Sequence, residues 1–600
     1  MVSRCGKHTA VRARSGWARR LLGRGMNAIT VPTAAHWRPR MKRLLRETFG
    51  IKRLREGQAA VIERVMQGLP TLAIMPTSAG KSLCYQVPAL LLPGRAGVVS
   101  PLIALMKAQC EALLACGVHA AQWHSGLTAE ERASAESAIT AGEARIVFST
   151  PERLADPGFL ALMSQQTTSL LVVDEAHRVS QWGHNFRPAF MEIASAKSAL
   201  GQPALLMLTA TATPDVIDDI AVQLGAKNLG VVNTGIYRPN LHYRVEQVAT
   251  EADKLARVLA LLNQTPGPCI VYAATVTTAA QVHEALQAAG ESVTLYHGRL
   301  PKQERSANQE AFMRNEVRIM VATNAFGLGI DKPDTRFVLH HQMPSGLDAY
   351  YQESGRAGCD GQPATCTLLF LRQDRAVQRF FMAGRYPDVE GVEAMYQAFI
   401  QGPPEGQRWT LNLLQERLHR PDRKLQVALQ LRQQGIVAQD RAGHLRLLRA
   451  GLSDEALDRL LVAYRDRREH DKAKLEQMVF YGQTGLCRWK ILRDHFDEGD
   501  GFERCGHCDN CLRLDALQQE SAQQESPVAE DLPALPRAVF AEQNRVRVPR
   551  YGTGIVTAAD AETVTVAFPQ GATRCFLSAY VQAAPATSPR LKRPSAPSPS

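Results

Sequence analysis

Thr71-Leu72-Ala73-Ile74-Met75-Pro76-Thr77-Ser78-Ala79-Gly80-Lys81-Ser82 joins a short apolar run to a Gly-Lys-Ser turn, and the residues that follow take up helical spacing. A strand that turns at glycine into a helix leaves several backbone N–H groups pointing at one spot, reinforced by the positive end of the helix. Thr77, Ser78, Ala79 and Gly80 are the expected cradle of a phosphate chain. Lys81 would neutralise its β and γ groups, and the Ser82 hydroxyl would ligate Mg²⁺. The strict pattern asks for glycine five residues before Gly80, where Met75 stands. A Gly-Lys-Ser alone also arises by chance, so the reading needs a partner motif.

SLLVVDEAH (169–177) supplies it about ninety residues on. A carboxylate at a strand end is where a divalent cation is held, and a neighbouring glutamate can polarise an attacking water. Asp174 and Glu175 take these roles, with His177 beside them. A lone Asp-Glu pair is usually a solvated loop; a second strand ending this way, after a phosphate loop, makes an ATP-hydrolysing site the stronger reading.

Around these motifs the chain alternates short apolar runs with helical stretches, the pattern of buried parallel strands. TLAIM, AGVVS, ARIVFST, SLLVVDE and ALLMLTAT lie between 49 and 230; PCIVYAAT, SVTLYHG, VRIMVAT, TRFVLHH and ATCTLLFL lie between 250 and 372. The fold class is therefore α/β, with two tandem parallel-sheet domains that break near Tyr237 to Tyr243. The second carries VATNAFGLGID (321–331), with Gly327 and Asp331 as nucleotide contacts, and QESGRAG (352–358). A two-lobed ATPase needs an arginine from the second lobe to stabilise charge on the γ-phosphate, and Arg356 is the candidate.

This ordered set resembles the superfamily 2 helicases, and specifically the RecQ DNA helicases. The likeness rests on FGIKRLREGQ, MPTSAGKSLCYQ, SPLIALMKAQ, DEAHRVSQWGHNFRP, LTATAT, YRPNLHY, VATNAFGLGIDKPDTRFVLH and YYQESGRAG, in family order over about 49–372. It implies that Arg55 and Gln58 grip adenine, and that residues 100–109, bounded by Ser100 and Gln109, touch single-stranded DNA. The loop 181–187 would couple DNA contact to hydrolysis. Gln181, Trp182, His184, Phe186 and Arg187 offer stacking surfaces and a cation, as sequence-neutral single-strand binding requires. Residues 209–211 would link nucleotide state to domain closure. The chain departs from the family pattern at Ile51, at Asn185 and at Cys359, where a second arginine usually follows the glycine. The resemblance further implies 3′→5′ unwinding of partial-duplex or branched DNA, in repair and recombination. Two rivals stand beside it: an RNA helicase of the same superfamily, and a non-hydrolysing nucleic-acid scaffold suggested by Cys359 and Met75.

Cys487, Cys505, Cys508 and Cys511 follow C-x17-C-x2-C-x2-C spacing. Two short chelating bites make a closed four-thiolate set, the signature of structural Zn²⁺. CRWKILRDHF and CGHCDNCL resemble the RecQ zinc-binding subdomain; His507 lies inside the cluster but outside the four-sulfur count. The other eight cysteines are scattered singly, which suits a reducing, cytoplasmic setting, nucleoid-associated if the source is bacterial.

The net charge of +12 conceals an asymmetry. Residues 1–46 hold twelve of the 70 basic residues and no acid, so the rest of the chain is formally neutral. The pI therefore says nothing about nucleic acid binding by the folded body. Residues 1–46 read as a basic disordered extension, although an Arg-rich, acid-poor transit peptide would look alike. No apolar run reaches the ~18 residues that a membrane span needs.

The expected domains are 47–236 and 237–385 for the two lobes, 386–452 for a winged-helix-like segment and 453–514 for a helical zinc-binding subdomain. A polar linker is expected over 515–536, a small β-barrel over 537–584 and a disordered tail over 585–600. The winged-helix reading rests on LNLLQERLH, KLQVALQLRQQG and the hairpin-like IVAQDRAGHLRLL, whose wing near 439–447 is a candidate strand-separating pin. RVRVPRYGTGIV and VTVAFPQGATRCFL resemble the Tudor/SH3-like barrel of some superfamily 1 repair helicases, which implies a protein partner.

Overall fold

The computed structural model describes residues 34–76, 79–180, 190, 192–327, 332–385, 395, 397–405, 407–410, 413, 414, 417, 437–439, 444–447, 454–499, 501–524, 540–549, 551–560, 562–569 and 571–584. The first lobe is a seven-stranded parallel sheet in the order β3-β4-β2-β5-β6-β1-β7. Its strands are β1 (Thr71–Ile74), β2 (Arg95–Val99), β3 (Ala120–Trp123), β4 (Ile146–Ser149), β5 (Thr168–Val173), β6 (Ala204–Thr209) and β7 (Gly230–Asn233). The central strands β1, β2, β4 and β5 are buried throughout. Helices cover both faces, as an all-parallel sheet requires.

The second lobe is a six-stranded parallel sheet in the order β10-β11-β9-β12-β13-β8. Its strands are β8 (Leu241–Gln247), β9 (Cys269–Tyr272), β10 (Val293–Tyr296), β11 (Ile319–Ala322), β12 (Phe337–His340) and β13 (Ala364–Phe370). Every strand expected in the two lobes from an apolar run is present.

Helix α1 (Ala34–Glu47) precedes both lobes and corrects the expectation of a disordered extension through residue 46. Trp37, Met41, Leu44 and Leu45 recur at helical spacing and pack into the core of the first lobe, with Trp37 and Leu45 buried. Arg38 pairs with Glu63 at 2.6 Å on α2 (Gln58–Met66). The arginines that dominate the composition stay on the outer face while the apolar stripe is buried. Residues 1–33 lie outside the described residues.

After the second lobe, β14 (Val437–Gln439) and β15 (Leu445–Leu447) form the antiparallel pair expected of the hairpin, with Ala438 opposite Arg446. The two helices expected before it fall almost entirely outside the described residues. Three further helices, α6 (Asp454–Gln483), α7 (Arg488–His495) and α8 (Asp509–Gln524), build the cysteine-bearing module. The linker expected from 515 instead continues α8 as far as Gln524, because LDALQQESAQQ is rich in helix formers.

This module is no appendage. Trp489, Tyr481, Cys487, Cys508 and Cys511 share one hydrophobic core with Tyr243, Tyr350 and Phe370 of the second lobe. It also closes the open edge of that sheet. The Asp509 carboxylate accepts the Val245 N–H of edge strand β8 (2.9 Å), and the Trp489 indole donates to the Leu241 carbonyl (3.1 Å).

Residues 540–584 form a five-stranded antiparallel sheet in the order β19-β18-β17-β16-β20. These strands are β16 (Arg545–Val548), β17 (Gly552–Ala559), β18 (Thr563–Ala567), β19 (Thr573–Leu577) and β20 (Gln582–Ala583). Val546, Val556, Val564, Val566 and Phe576 make its small core. The sheet rests on its neighbours: Phe576 meets Phe480 of α6 edge-on, the Tyr580 hydroxyl donates to Gln247 (2.7 Å), and Arg513 pairs with Glu562 (2.7 Å). Among the described residues, no helix is long and apolar enough to cross a membrane.

Because Trp37 is buried in the first lobe's core, Trp37→Ala should cost about 3–5 kcal/mol. The expected result is a lower urea midpoint for that lobe's unfolding transition; a change below about 1 kcal/mol would mean that α1 is not part of the core.

Candidate active site and metal centre

Parallel strands deliver their C-terminal ends to one edge of each sheet, and ligands of open α/β sheets bind there. In the first lobe β1 ends at the phosphate loop, β5 at Asp174 and β6 at Thr209. Gly80 has φ +73°, a left-handed conformation that favours glycine, and a Cβ there would lie 2.9 Å from Gln58 Nε2. Gln58 is buried, donates to the carbonyls of Ala79 and Gly80 (3.0 Å each), and accepts the Arg55 N–H through Oε1 (2.8 Å). Arg55 and Gln58 thus sit against the phosphate loop. Lys81 Nζ donates to the Met75 carbonyl (3.3 Å), bending its ammonium back over the loop. The Met75 side chain is fully buried, and the position lacking the usual glycine serves as core. Thr77 and Ser78 lie outside the described residues.

Asp174 keeps only slight exposure at the cleft floor. Desolvation, then the adjacent Glu175, push its carboxyl up to about 7, against the pull of Lys81. A divalent cation at this spot would restore the carboxylate, and the hydroxyl of Ser82 and the carboxylate of Asp174 are the hard oxygen donors Mg²⁺ takes. Glu175 sits in the left-handed region (φ +52°), uncommon for a non-glycine residue. Its carboxylate lies 3.3 Å from His177 Nδ1, which is 3.0 Å from the Thr209 hydroxyl; that hydroxyl donates to the Thr211 carbonyl (2.9 Å). A polar chain therefore runs from Glu175 into the LTATAT segment.

The cleft that holds Lys81, Ser82, Asp174 and Glu175 is also lined by Gln352 and Arg356 from the second lobe. Arg356 follows α4 (Leu347–Ser354) and is buried, beside Tyr272, whose hydroxyl donates to the Phe326 carbonyl (2.8 Å). Gly327 abuts it: a Cβ at that position would be 3.9 Å from the Arg356 guanidinium and 2.8 Å from the Asn324 carbonyl. The Cys359 thiol turns back toward the carbonyls of Gly355 and Arg356 (3.6 Å each). Asp331 lies outside the described residues.

Ser100 and Gln109 differ from expectation. Ser100 is buried, and its hydroxyl donates to Asp174 (3.4 Å); Gln109 lines the same cleft and accepts from Gln86 (3.0 Å). The segment runs from a strand end into a helix, which turns its two ends inward and leaves Ile103, Ala104, Lys107 and Ala108 exposed. Gln181, Trp182, His184, Phe186 and Arg187 lie outside the described residues. Tyr85 and Gln352 also line the cleft and were not expected. Tyr85 stands in the first turn of the helix Leu83–Leu91 that follows Ser82, and that closeness to the Gly-Lys-Ser turn is the signal that could have found it.

The four cysteines converge as their spacing predicts. Their sulfurs all lie within 4.8 Å of one another, with Cys505–Cys511 at 3.9 Å and Cys487–Cys508 at 4.0 Å. Ligands about 2.3 Å from a tetrahedral Zn²⁺ stand about 3.8 Å apart, so the set fits the ion. Backbone N–H groups of Cys505, Arg488 and Cys508 point at the sulfurs of Cys487, Cys508 and Cys505 (3.3–3.4 Å), which stabilises thiolates. His507 stands aside, its Nδ1 facing the Cys505 carbonyl (2.9 Å) and its ring 4.9 Å from His242. The buried Arg488–Asp509 pair (2.9 Å through both nitrogens) then links the cluster to edge strand β8. The chain should carry one Zn²⁺, and Cys508→Ala should lose it and melt at a lower temperature, as seen by a colorimetric zinc assay and calorimetry. A wild-type chain that loses its metal to a chelator and melts unchanged would contradict a structural site.

Three family models match the chain: DEAD/DEAH box helicase over residues 55–220, helicase conserved C-terminal domain over 252–361, and RecQ zinc-binding over 439–512. The last begins inside the β14–β15 hairpin. The ATP-dependent DNA helicase RecQ of Bacillus subtilis is 41% identical over 345 residues, covering 57% of this chain and 58% of that one. The chain thus spans a little over half the length of that relative. Two others match nearly end to end. The probable ATP-dependent DNA helicase RecS of B. subtilis is 33% identical over 486 residues, 79% of this chain and 93% of that one. The ATP-dependent DNA helicase RecQ of Synechocystis is 32% identical over 493 residues, 79% and 98% respectively. Matched along nearly the whole of those two relatives, with both helicase lobes and the four-cysteine module in order, the chain belongs to the RecQ family of ATP-dependent DNA helicases.

Proposed function

We propose that this chain is a motor that hydrolyses ATP to move 3′→5′ along single-stranded DNA, and so unwinds partial-duplex or branched DNA in repair and recombination. The observation that carries this reading is a shared cleft: Lys81, Asp174 and Glu175 face it from one lobe and Arg356 from the other. In this scheme Lys81 binds the β- and γ-phosphates, Glu175 orients the attacking water, and Arg356 neutralises charge that grows on the γ-phosphate. Ser82 and Asp174 would hold Mg²⁺, whose chemistry there would be to withdraw charge from the phosphates. His177 and Thr209 pass the presence or absence of the γ-phosphate to the LTATAT segment. Because the cleft is complete only when both lobes contribute, hydrolysis and release drive the lobes apart, and the strand advances.

DNA rather than RNA is favoured by the names of the relatives, each called a DNA helicase. Trp182, His184, Phe186 and Arg187 are taken as the stacking and cationic contacts to that strand, with Gln181 coupling them to the Asp174–Glu175 edge. Separating an average base-pair step takes about 1.4 kcal/mol, within reach of one ATP per step. The segment 386–452 is taken as a winged-helix-like module whose β14–β15 wing splits the duplex, and the C-terminal sheet as a Tudor/SH3-like barrel that docks a protein partner.

Arg356→Ala should lower DNA-stimulated kcat for ATP by about 10³-fold with little change in KM. A 3′-tailed duplex should be unwound and a 5′-tailed one left intact; the reverse polarity, or an RNA duplex unwound in preference, would refute the scheme. Deleting residues 439–447 should abolish unwinding while sparing DNA-dependent hydrolysis, and an unchanged unwinding rate would remove the wing from the account.

A further inference from the structure

The turn that presents Arg356 is poorly suited to holding an arginine still. It reads Gly355-Arg356-Ala357-Gly358, and glycines on both sides leave the backbone loose. Gly358 sits at φ +57°, and a Cβ there would clash with Asn240 Nδ2 at 2.5 Å and the Gln362 carbonyl at 2.7 Å. Backbone bonds order the turn in part, with Ala357 N–H donating to the Ser354 carbonyl (3.0 Å) and Gly358 N–H to that of Thr335 (2.8 Å), and its own carbonyls take partners from elsewhere.

Those partners come from residues 238–240, just before β8. The guanidinium of Arg238 is buried, and it donates to three carbonyls of the turn, those of Gly355 (2.6 Å), Ala357 (2.7 Å) and Gly358 (2.7 Å). Asn240 adds a second hold, donating to the carbonyls of Gly358 (2.8 Å) and Gln362 (2.9 Å). These contacts span more than a hundred residues of sequence and bracket Arg356 on both sides. A planar fork of fixed donors matches several carbonyls at once, which a lysine ammonium on a flexible stem does not. Arg238 itself does not line the ATP cleft.

We propose that Arg238 is a positioning residue for hydrolysis: it fixes the Gly355–Gly358 turn so that the Arg356 guanidinium meets the γ-phosphate in register. The proposal rests on the reading of Arg356 given above. A displacement of about 1 Å at a reacting centre can cost about 10²-fold in rate, so loosening the turn should approach, without exceeding, the loss caused by removing Arg356.

The test is a double-mutant cycle on the full-length chain loaded with zinc, using ATP, Mg²⁺ and single-stranded DNA. Arg238→Ala should lower kcat by about 10²-fold, with ATP KM, DNA affinity and zinc content within about twofold of wild type. The double variant Arg238→Ala/Arg356→Ala should be no slower than Arg356→Ala alone, because the brace has nothing left to position. Arg238→Lys, which keeps charge and most of the volume, should fall between wild type and Arg238→Ala, and it supplies the same cycle if the alanine variant does not fold. The proposal is overturned if kcat stays within twofold of wild type, if the loss appears in KM, or if the two losses multiply. Should Arg356→Ala itself hydrolyse ATP normally, the reading of Arg356 fails, a result distinct from the failure of the brace.

Discussion

In the proposed scheme one electrostatic requirement governs the architecture: charge on a bound polyphosphate is met by cations from two lobes. Lys81 reaches it from the end of β1, and Arg356 from the turn after α4. The cleft is lined from both lobes, which in the proposed scheme couples hydrolysis to a change in their separation. The burial of Arg356 and the raised carboxyl of Asp174 both follow from placing this chemistry at the bottom of a cleft. In such a low-dielectric setting each charge is worth more than in water and is costly when unmatched.

The cysteine module supports the second of those bodies. Its helices complete the core of the second lobe and close the exposed edge of β8, an edge that would otherwise present unpaired N–H and C=O groups. One more contact reaches farther. Glu498 accepts from the Asn233 side chain (2.9 Å) at the end of the first lobe's last strand, and from the Ile236 N–H (2.8 Å) in the linker between the lobes. The module is thus fastened to the second lobe and touches the hinge. The C-terminal sheet packs against the same module, through Phe480 of α6.

What the sequence revealed depended on how local each determinant is. The phosphate loop, Asp174 and the four cysteines were legible because a strand end plus a turn, or two short chelating bites, is specified within a few residues. The Arg238 brace was not, since its partners lie 117 to 120 positions away and are backbone carbonyls that leave no mark in the sequence. Helix α1 was hidden by composition: its arginines masked the spacing of Trp37, Met41, Leu44 and Leu45. The family resemblance puts Ser100 against DNA, whereas the crossing from strand to helix turns its hydroxyl toward Asp174.

The most direct test of the account is the position of Arg356 in a crystal structure with single-stranded DNA and ADP–aluminium fluoride, which mimics the phosphoryl group in transfer. The account predicts guanidinium nitrogens about 2.7–3.1 Å from the fluoride ligands, with Lys81 on the same group. An Arg356 side chain turned out of the cleft, with another arginine in its place, would contradict it.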